Sequence, residues 1–526
     1  MLAGTDTQLE IDVGVVRNTI GKIIFSKKEN YTTSLAGDQM YGWIKGEWKE
    51  HVIKGDILVV FHAEQALKFF VRIEKIQNYP ICAGGFEKKI TETGTYLTLL
   101  PLLEIDYEEE YTGTPRPHDL ANFELGFPSP KELAQINHIP SEGLPLGEIV
   151  GHGIRTPFYY PIIPEDTRFQ SWLISGVQGK GKSVFAKLLV ASVTSKTNDS
   201  IVILDREGEY KNFPDLNNMT DVGKKFFKKH GIKPVKPRIL KLSNSIFEAT
   251  ASMSMKGINL RDVLSLMPEL ETKSAEVART IMSKACSTIS ENGSELTWNN
   301  LRREIFEELN HSQFLSGMAG AQIRGAIERA MMSQNLDLFD QNGRTPLIPE
   351  KLFIEKTVTI IDIQDLSPAQ QRMAALYMFL MLYKHKFQDN VKDPGVLVFF
   401  DESEFLFPRH PGNSEKDYVN RIAEMIRDPV RRGRKHKFGL VLITHEIADL
   451  DQSVTNLCNT KVIFGSTVVH GSKTWFKDNI GEQFINEIGT LPVGQCIIDA
   501  RKTAIPISVK LHVPFVGSKE DYFGEL

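Results

Sequence analysis

The sequence predicts an α/β fold: a parallel sheet interleaved with helices, preceded by a small β-barrel and carrying an inserted helical subdomain. Three observations predict it. First, short apolar, β-branched runs recur from residue 168 onward, at 171–175 (SWLIS), 201–205 (IVILD), 357–363 (TVTIIDI), 396–402 (VLVFFDE), 439–445 (GLVLITH), 461–466 (KVIFGS) and 495–500 (QCIIDA). Runs apolar on both faces are the pattern of buried parallel strands. Second, helical stretches alternate with several of these runs, as an α/β sheet requires. Third, residues 11–108 hold frequent short strand-like stretches broken by Gly, Asn and Lys turns, the pattern of a small barrel.

Taken in order, residues 1–110 are the expected barrel, with IGKIIF, DILVVF, FFVRIEKI and YLTLLPLL as strands. The acidic run Glu104–Tyr111 and the following TGTPRPHD mark a linker. Residues 111–165, rich in Pro and Gly, read as an extended connector. The α/β core is expected over 166–245 and 346–515, and 516–526 form a C-terminal tail. The interruption at 246–345 reads as a helical insertion. Within it, SAEVARTIMSKACSTI, WNNLRREIFEEL and AGAQIRGAIERAMM have helical periodicity with no strand signal between them. In the core, the stretch from Ser367 predicts a capped helix, with Ser367 as N-cap, Pro368 in the first turn and Gln370 completing a capping box. No internal repeat is visible.

The chain has 526 residues, 41% hydrophobic and 24% charged, a composition that excludes largely disordered, collagen-like and disulfide-stapled classes. The formal net charge of −4 provides no global attraction to nucleic acid, so any such binding must come from local patches. The four cysteines (Cys82, Cys286, Cys458, Cys496) are scattered, without the spacing of a zinc site, and fit a reducing compartment. The polar, acidic start MLAGTDTQLEID lacks the apolar core of a signal peptide. The apolar run Met373–Tyr383 is well short of the ~20 residues that span a bilayer. These features predict a soluble cytoplasmic protein without membrane attachment.

Gly176-Val177-Gln178-Gly179-Lys180-Gly181-Lys182-Ser183, followed by Val184, matches GxxxxGK[ST] between an apolar strand and a helix-like stretch. The spacing has a physical reason. The glycines let the backbone curl so that several N–H groups face one anion. The helix N-terminus adds its positive dipole end. Lys182 can reach the β- and γ-phosphates of ATP, and Ser183 offers a hydroxyl to Mg²⁺.

The apolar strand 396–400 ends in Asp401-Glu402. Carboxylates at the C-terminal end of a parallel strand fall near such a loop. Asp401 is the expected Mg²⁺ ligand through its water shell, and Glu402 the group that polarises the attacking water. Strand 439–443 ends in Thr444-His445, where His445 reads either as a γ-phosphate sensor or as the cap of a turn. Just before it, Arg421–Lys437 holds seven Lys/Arg against two acids, including Arg431, Arg432 and Arg434. This run reads either as an electrostatic patch or as the source of an arginine that reaches a neighbouring subunit's γ-phosphate. A second basic run, Lys224–Lys241, has eight Lys/Arg and no acid, and suits either DNA phosphates or a solvated loop.

Together these residues resemble HerA-like ATPases of the wider HerA–FtsK group. Asp205-Arg-Glu-Gly-Glu-Tyr210 resembles their D-x-x-G-E-Y stretch, and Arg431-Arg-Gly-Arg-Lys435 before GLVLITH their R-x-G-R-K segment and sensor strand. Cys458-Asn459-Thr460 and Leu491-Pro492-x-Gly494 also fit. His445 stands where these proteins usually carry Gln, the acidic motif runs DESEF, and Gln170, with Arg168 two positions away, replaces a basic residue before the loop. The resemblance implies a RecA-like P-loop ATPase core and an N-terminal barrel of the ATP-synthase type. It also implies ATP and Mg²⁺ as cofactors, and Lys182, Glu402, Arg431, Arg434, His445 and Asp205 as catalytic groups. It further implies a homo-hexameric ring around double-stranded DNA. The implied partner is a NurA-type nuclease or a defence effector (a nuclease or sirtuin-type NAD hydrolase). The expected function is an ATP-driven duplex DNA translocase or helicase. The alternatives are an ATP-gated scaffold that activates an effector, and a conjugation or secretion motor.

Overall fold

The computed structural model describes residues 21–24, 40–52, 54–62, 67–77, 94–109, 111–113, 123–129, 131–133, 143–150, 159–162, 169, 171–213, 218–245, 247–259, 262–263, 266, 275–311, 318–332, 337–412, 416–481, 484–500 and 509–513. The chain divides into two compact units. One comprises residues 1–139, 149–158 and 503–507; the other comprises 140–148, 159–502 and 508–526.

The first unit holds β1 (Gly21–Ile24), β2 (Met40–Lys45), β3 (Ile57–Phe61), β4 (Leu67–Gln77), β5 (Gly94–Asp106), β6 (Tyr111–Gly113) and β7 (Glu124–Gly126). They run in the order β2-β1-β7-β3-β4-β5-β6, and pairing of β2 with β5 closes the sheet on itself. Alternation along the strands sends Leu58, Val60, Phe69, Val71, Leu97 and Leu99 into one core. Their neighbours Ile57, Val59, Phe70, Leu103 and Ile105 meet Leu133 in a second. Register shifts at Phe70/Val71 and Ile73/Lys75 bend the long β4–β5 pair as closure demands.

The stretch 111–165, expected as a connector, carries strands. Glu124–Gly126 bridges β1 and β3 and so completes the closed sheet. Three residues are too few for alternation to be read from sequence. Two further segments of that stretch, β8 (Leu144–Ile149) and β9 (Tyr159–Ile162), form an antiparallel pair at one end of the large sheet described next.

That sheet also contains β10 (Ser171–Ser175), β11 (Ser200–Asp205), β12 (Arg238–Lys241), β15 (Val358–Asp362), β16 (Val396–Phe400), β17 (Phe438–Thr444), β18 (Thr460–Phe464), β19 (Gln495–Ala500) and β20 (Val509–His512). A separate two-stranded pair is made by β13 (Ala251–Ser252) and β14 (Thr345–Pro346). The large sheet has the order β12-β15-β11-β16-β17-β10-β18-β19-β20-β8-β9. Strands β12 through β18 are parallel; β19 and β20 add antiparallel pairings. Strands β10, β11, β15, β16, β17 and β18 are buried throughout, as their unbroken apolar runs predict.

Among the described residues the helices of ten or more residues are α1 (Lys182–Lys196), α2 (Asp221–His230), α3 (Ala275–Glu291), α4 (Trp298–His311), α5 (Met318–Met331), α6 (Pro368–Tyr383), α7 (Lys416–Arg432) and α8 (His470–Asn479). Helices α1 and α6 are apolar nearly all round, and both are buried. The capping box of α6 forms as expected, with Ser367 Oγ accepting from Gln370 N and Gln370 Oε1 accepting from Ser367 N. Helices α3–α5 occupy the interruption in the sheet. Their buried residues Ile281, Leu301, Ile305 and Ile327 join Leu173, Val202 and Leu442 of the strands in one apolar core. Asp340 fastens this region. Its carboxylate accepts from Trp298 N at the start of α4 (2.8 Å) and from Met255 N (3.0 Å).

Lys386, in the turn after α6, is fully buried and donates to the carbonyls of Lys392 (2.9 Å) and Pro394. Burial pulls its amine down to about 8, against the opposing charges of Asp393 and Asp199. A neutral amine has two N–H groups for these two carbonyls. The folded state therefore binds fewer protons than the unfolded one between about pH 8 and the ordinary lysine value of 10.5, and stability rises with pH across that window. Lys386→Met strands both carbonyls and is expected to cost about 1–3 kcal/mol. The gap in thermal midpoint between wild type and variant should widen from pH 7 to pH 9.5; a constant gap refutes the neutral amine.

Candidate nucleotide site

The site lies along the edge where the parallel strands end. Parallel register aligns Ser175 with Thr444, Leu204 with Phe400, and Phe400 with Leu442. The residues that follow these strand ends therefore share one edge. Strand β17 lies between β10 and β16, so the sensor position stands between the phosphate loop and the acidic pair.

The loop leaves β10 at Gly176, where a Cβ would lie 2.6 Å from Phe464 Cβ, so only glycine lets the chain pass β18. Gly181, with φ +112°, turns the backbone into α1 in a conformation costly for other residues. The loop is strapped down at its sides. Val177 N donates to Gly465 O (2.9 Å), Lys180 Nζ to Leu491 O (2.9 Å), and Gly494 N to Lys180 O (3.0 Å). The Leu491–Gly494 motif thus buttresses the phosphate loop. Gln178 and Gly179 form the exposed tip. No side chain caps α1, which leaves the first-turn N–H groups of Lys182, Ser183 and Val184 for an anion.

Lys182 is buried. Its Nζ donates to Gly176 O (2.6 Å) and lies 3.1 Å from His445 Nδ1. Burial pulls its ammonium down, while Asp401, then Glu209, Glu404 and Glu402, push it back up. An ammonium only donates, so Nδ1 of His445 accepts and Nε2–H donates to Glu402 Oε1 at 3.2 Å. The other oxygen of Glu402 is bound by Arg206. Glu402 itself has φ +49°, a strained conformation for a side-chain-bearing residue and one that recurs at functional sites. Ser403 braces the turn, its Oγ donating to Phe400 O (3.0 Å) and accepting from Ile443 N (3.1 Å). His445 N donates to Glu404 Oε1 (3.1 Å).

Asp401 is held well above the usual carboxylate range by burial first, then by Glu209, Asp205 and Glu402. Ser183 Oγ donates to Glu209. This crowding of acids around Ser183 and Asp401 is what a Mg²⁺ ion would relieve. Among the described residues, no group of three or more His, Cys, Asp or Glu side chains could hold a metal alone. Ser183 and Asp401 therefore fit Mg²⁺ only with water and substrate phosphates completing its shell, the usual mode for this ion.

Asp205, expected as a catalytic group, is turned onto backbone amides. It is fully buried, and its oxygens accept from Gly208 N (2.8 Å), Glu209 N (3.1 Å) and Tyr210 N (3.1 Å). Its carboxylate is spent on shaping the 205–210 turn, which delivers Arg206 and Glu209. Those two residues are the ones sequence reasoning missed, although the D-x-x-G-E-Y stretch contains both. The backbone of segment 431–434 lies away from these groups. That segment precedes β17, whose far end carries His445, and seven extended residues span roughly 20 Å. Arg431 and Arg432 are exposed, with Arg432 over the Phe387 ring, and the side chain of Arg434 lies outside the described residues. Arg168 and Gln170 also lie outside them. The basic run Lys224–Lys241 covers α2 and the edge strand β12, with Lys225, Lys228, Lys229, Lys233 and Lys236 exposed.

A strand, a glycine-cornered loop, an uncapped helix start and a carboxylate pair two strands away are the parts of a P-loop nucleotide site. Residues 168–382 match the family described as Helicase HerA, central domain. Among curated proteins, the DNA double-strand break repair helicase HerA of Saccharolobus solfataricus is 24% identical over 148 residues, 27% of this chain and 28% of the relative. A probable helicase of Methanocaldococcus jannaschii is 21% identical over 185 residues, 34% of this chain and 33% of the relative. The chain thus matches a third or less of the length of these relatives. Among solved structures, VirB4 of Thermoanaerobacter pseudethanolicus has 13% identity and a TM-score of 0.48, covering 73% of this chain and 98% of that one. The bacterial conjugative coupling protein TrwB has 14% identity and a TM-score of 0.47, covering 75% and 94%. Among the described residues no helix is long and apolar enough to cross a membrane.

Proposed function

We propose that this chain is an ATP-driven motor on double-stranded DNA, its RecA-like core carrying a helical insertion at 246–345 and assembling as a homo-hexameric ring. The observation that carries the reading is the convergence of Lys182, Ser183, Asp401, Glu402 and His445 on one sheet edge within a HerA-like domain. The first-turn amides of α1 and the ammonium of Lys182 receive the ATP phosphates, Lys182 exchanging the Gly176 carbonyl for phosphate oxygen. Ser183 and Asp401 would hold Mg²⁺, which would supply charge neutralisation for the ATP phosphates. Glu402 accepts a proton from the attacking water, and His445, between Lys182 and Glu402, senses the γ-phosphate. The in-line displacement releases ADP and inorganic phosphate.

An arginine of the 431–434 segment acts on the neighbouring subunit. The placement of that segment at the opposite edge of its own sheet supports this reading. The partner is a nuclease or a defence effector, and duplex DNA is gripped by its phosphates without reading sequence. The test is hydrolysis with and without linear duplex DNA. Turnover at about 50 mM salt should rise several-fold with DNA and fall back to the basal rate by about 200 mM, because phosphate contacts weaken steeply with salt. Turnover indifferent to DNA at both salts overturns the motor reading.

A further inference from the structure

We infer that Arg206 is a positioning residue that holds Glu402 idle in the nucleotide-free site and releases it on turnover. The inference rests on the reading of Glu402 as the base. Both oxygens of that carboxylate are occupied, one by the Arg206 guanidinium and the other by His445 Nε2 at 3.2 Å. Each oxygen keeps a second lone pair, but a base must turn an oxygen toward water, and here the two donors fix the direction of both.

Arg206 is itself held for this task. Its Nε donates to Gln371 Oε1 (3.1 Å), and Gln371 is buried and anchored by its own Nε2 to Ile363 O (3.1 Å). The guanidinium lies 4.2 Å from the centre of the Phe405 ring, and Phe405 takes the Arg372 guanidinium at the same distance. Phe405 lies in the one-turn helix Ser403–Leu406 that follows Glu402, so one ring ties the arginine to the segment it restrains.

A second acceptor is at hand. Arg206 also lies 3.4 Å from Glu207 Oε1, a half-exposed carboxylate to which it can pass when it lets Glu402 go. The cue for release reaches Glu402 from the other side. His445 links the same carboxylate to Lys182, the residue that ATP phosphates draw away from the ring nitrogen. The latch and the phosphate loop thus meet on one side chain.

The experiment compares steady-state ATP hydrolysis by the full chain with Arg206→Gln, Arg206→Lys, Glu402→Gln and the Arg206→Gln/Glu402→Gln pair, with and without duplex DNA. Loss of the latch should raise basal kcat about five-fold with KM little changed, a factor of the order that one partly buried ion pair supplies. Arg206→Lys, which keeps the charge, should stay near wild type. Lesions that merely loosen the fold lower kcat, so a rise separates the latch from a structural role. The double variant should be as inactive as Glu402→Gln alone. A fall or no change in basal kcat with Arg206→Gln, while Glu402→Gln is inactive, overturns the latch and spares the base. Normal turnover by Glu402→Gln overturns the base and with it the latch. If Arg206→Gln does not fold, Arg206→Lys decides, because its weaker, single-pronged grip still predicts a basal rate at or above wild type, and a lower rate overturns the proposal.

Discussion

Replacing Glu402 by Gln is expected to leave ATP bound and to lower turnover by about two to four orders of magnitude, the usual contribution of a general base. The substitution is nearly isosteric. The Gln carbonyl can accept from only one of His445 Nε2 and Arg206 and its NH2 faces the other, but the αL turn at φ +49° and the Ser403 brace do not use that side chain and keep their shape. What disappears is the capacity to take a proton from water. Nucleotide affinity, which the proposed reading assigns to the loop amides and Lys182, should change little. Equilibrium binding of a slowly hydrolysed ATP analogue and single-turnover hydrolysis separate the two quantities. Turnover within a few-fold of wild type removes Glu402 from the mechanism and makes Glu404 or Glu209 the next base to test.

Asp205→Ala should be the most damaging single change to the fold of the site. It strips one buried acceptor from three backbone N–H groups. Each stranded donor costs about 1–3 kcal/mol, so a loss of about 3 kcal/mol or more is expected even with partial rehydration. The thermal midpoint should fall by several degrees, and turnover with it, since the turn that carries Arg206 and Glu209 loses its pin. Asp205→Asn is the sharper probe. Its single amide oxygen serves two of the three donors, so stability should fall by about 1 kcal/mol with turnover reduced only in proportion. Full stability with abolished turnover in Asp205→Asn would return Asp205 to the catalytic set.

The sequence was legible where one physical signal dominates. Strands 171–175 and 495–500 have the expected bounds, and the other five expected core runs differ by a residue or two at their ends, because apolar burial on both faces leaves no room for another pattern; β12 and β20 carry no such run and were not expected. The capped start of α6 was legible because Ser367 and Gln370 satisfy each other locally. Short strands were not. Glu124–Gly126 and Leu144–Ile149 are held by partners distant in the chain, and Pro145 masks the second as loop. The residue types of the site were likewise visible, whereas their partners were not. Nothing local shows that Asp205 would turn inward upon three amides, or that Arg206, one position on, would reach Glu402 almost two hundred residues away. Nor does any pattern encode the insertion of β17 between β10 and β16, which puts His445 between Lys182 and Glu402.

Strand β17 carries basic residues just before one end and His445 just after the other, with every residue between them buried. Close packing and hydrogen bonding on both sides make it a strut that can shift bodily but cannot stretch. In a ring of such subunits, a push on the arginines from a neighbour's triphosphate would travel down this strut and move the imidazole at its far end. Each subunit would then read the chemical state of the next with the same strand that reports its own, and firing in sequence around the ring would need no separate messenger.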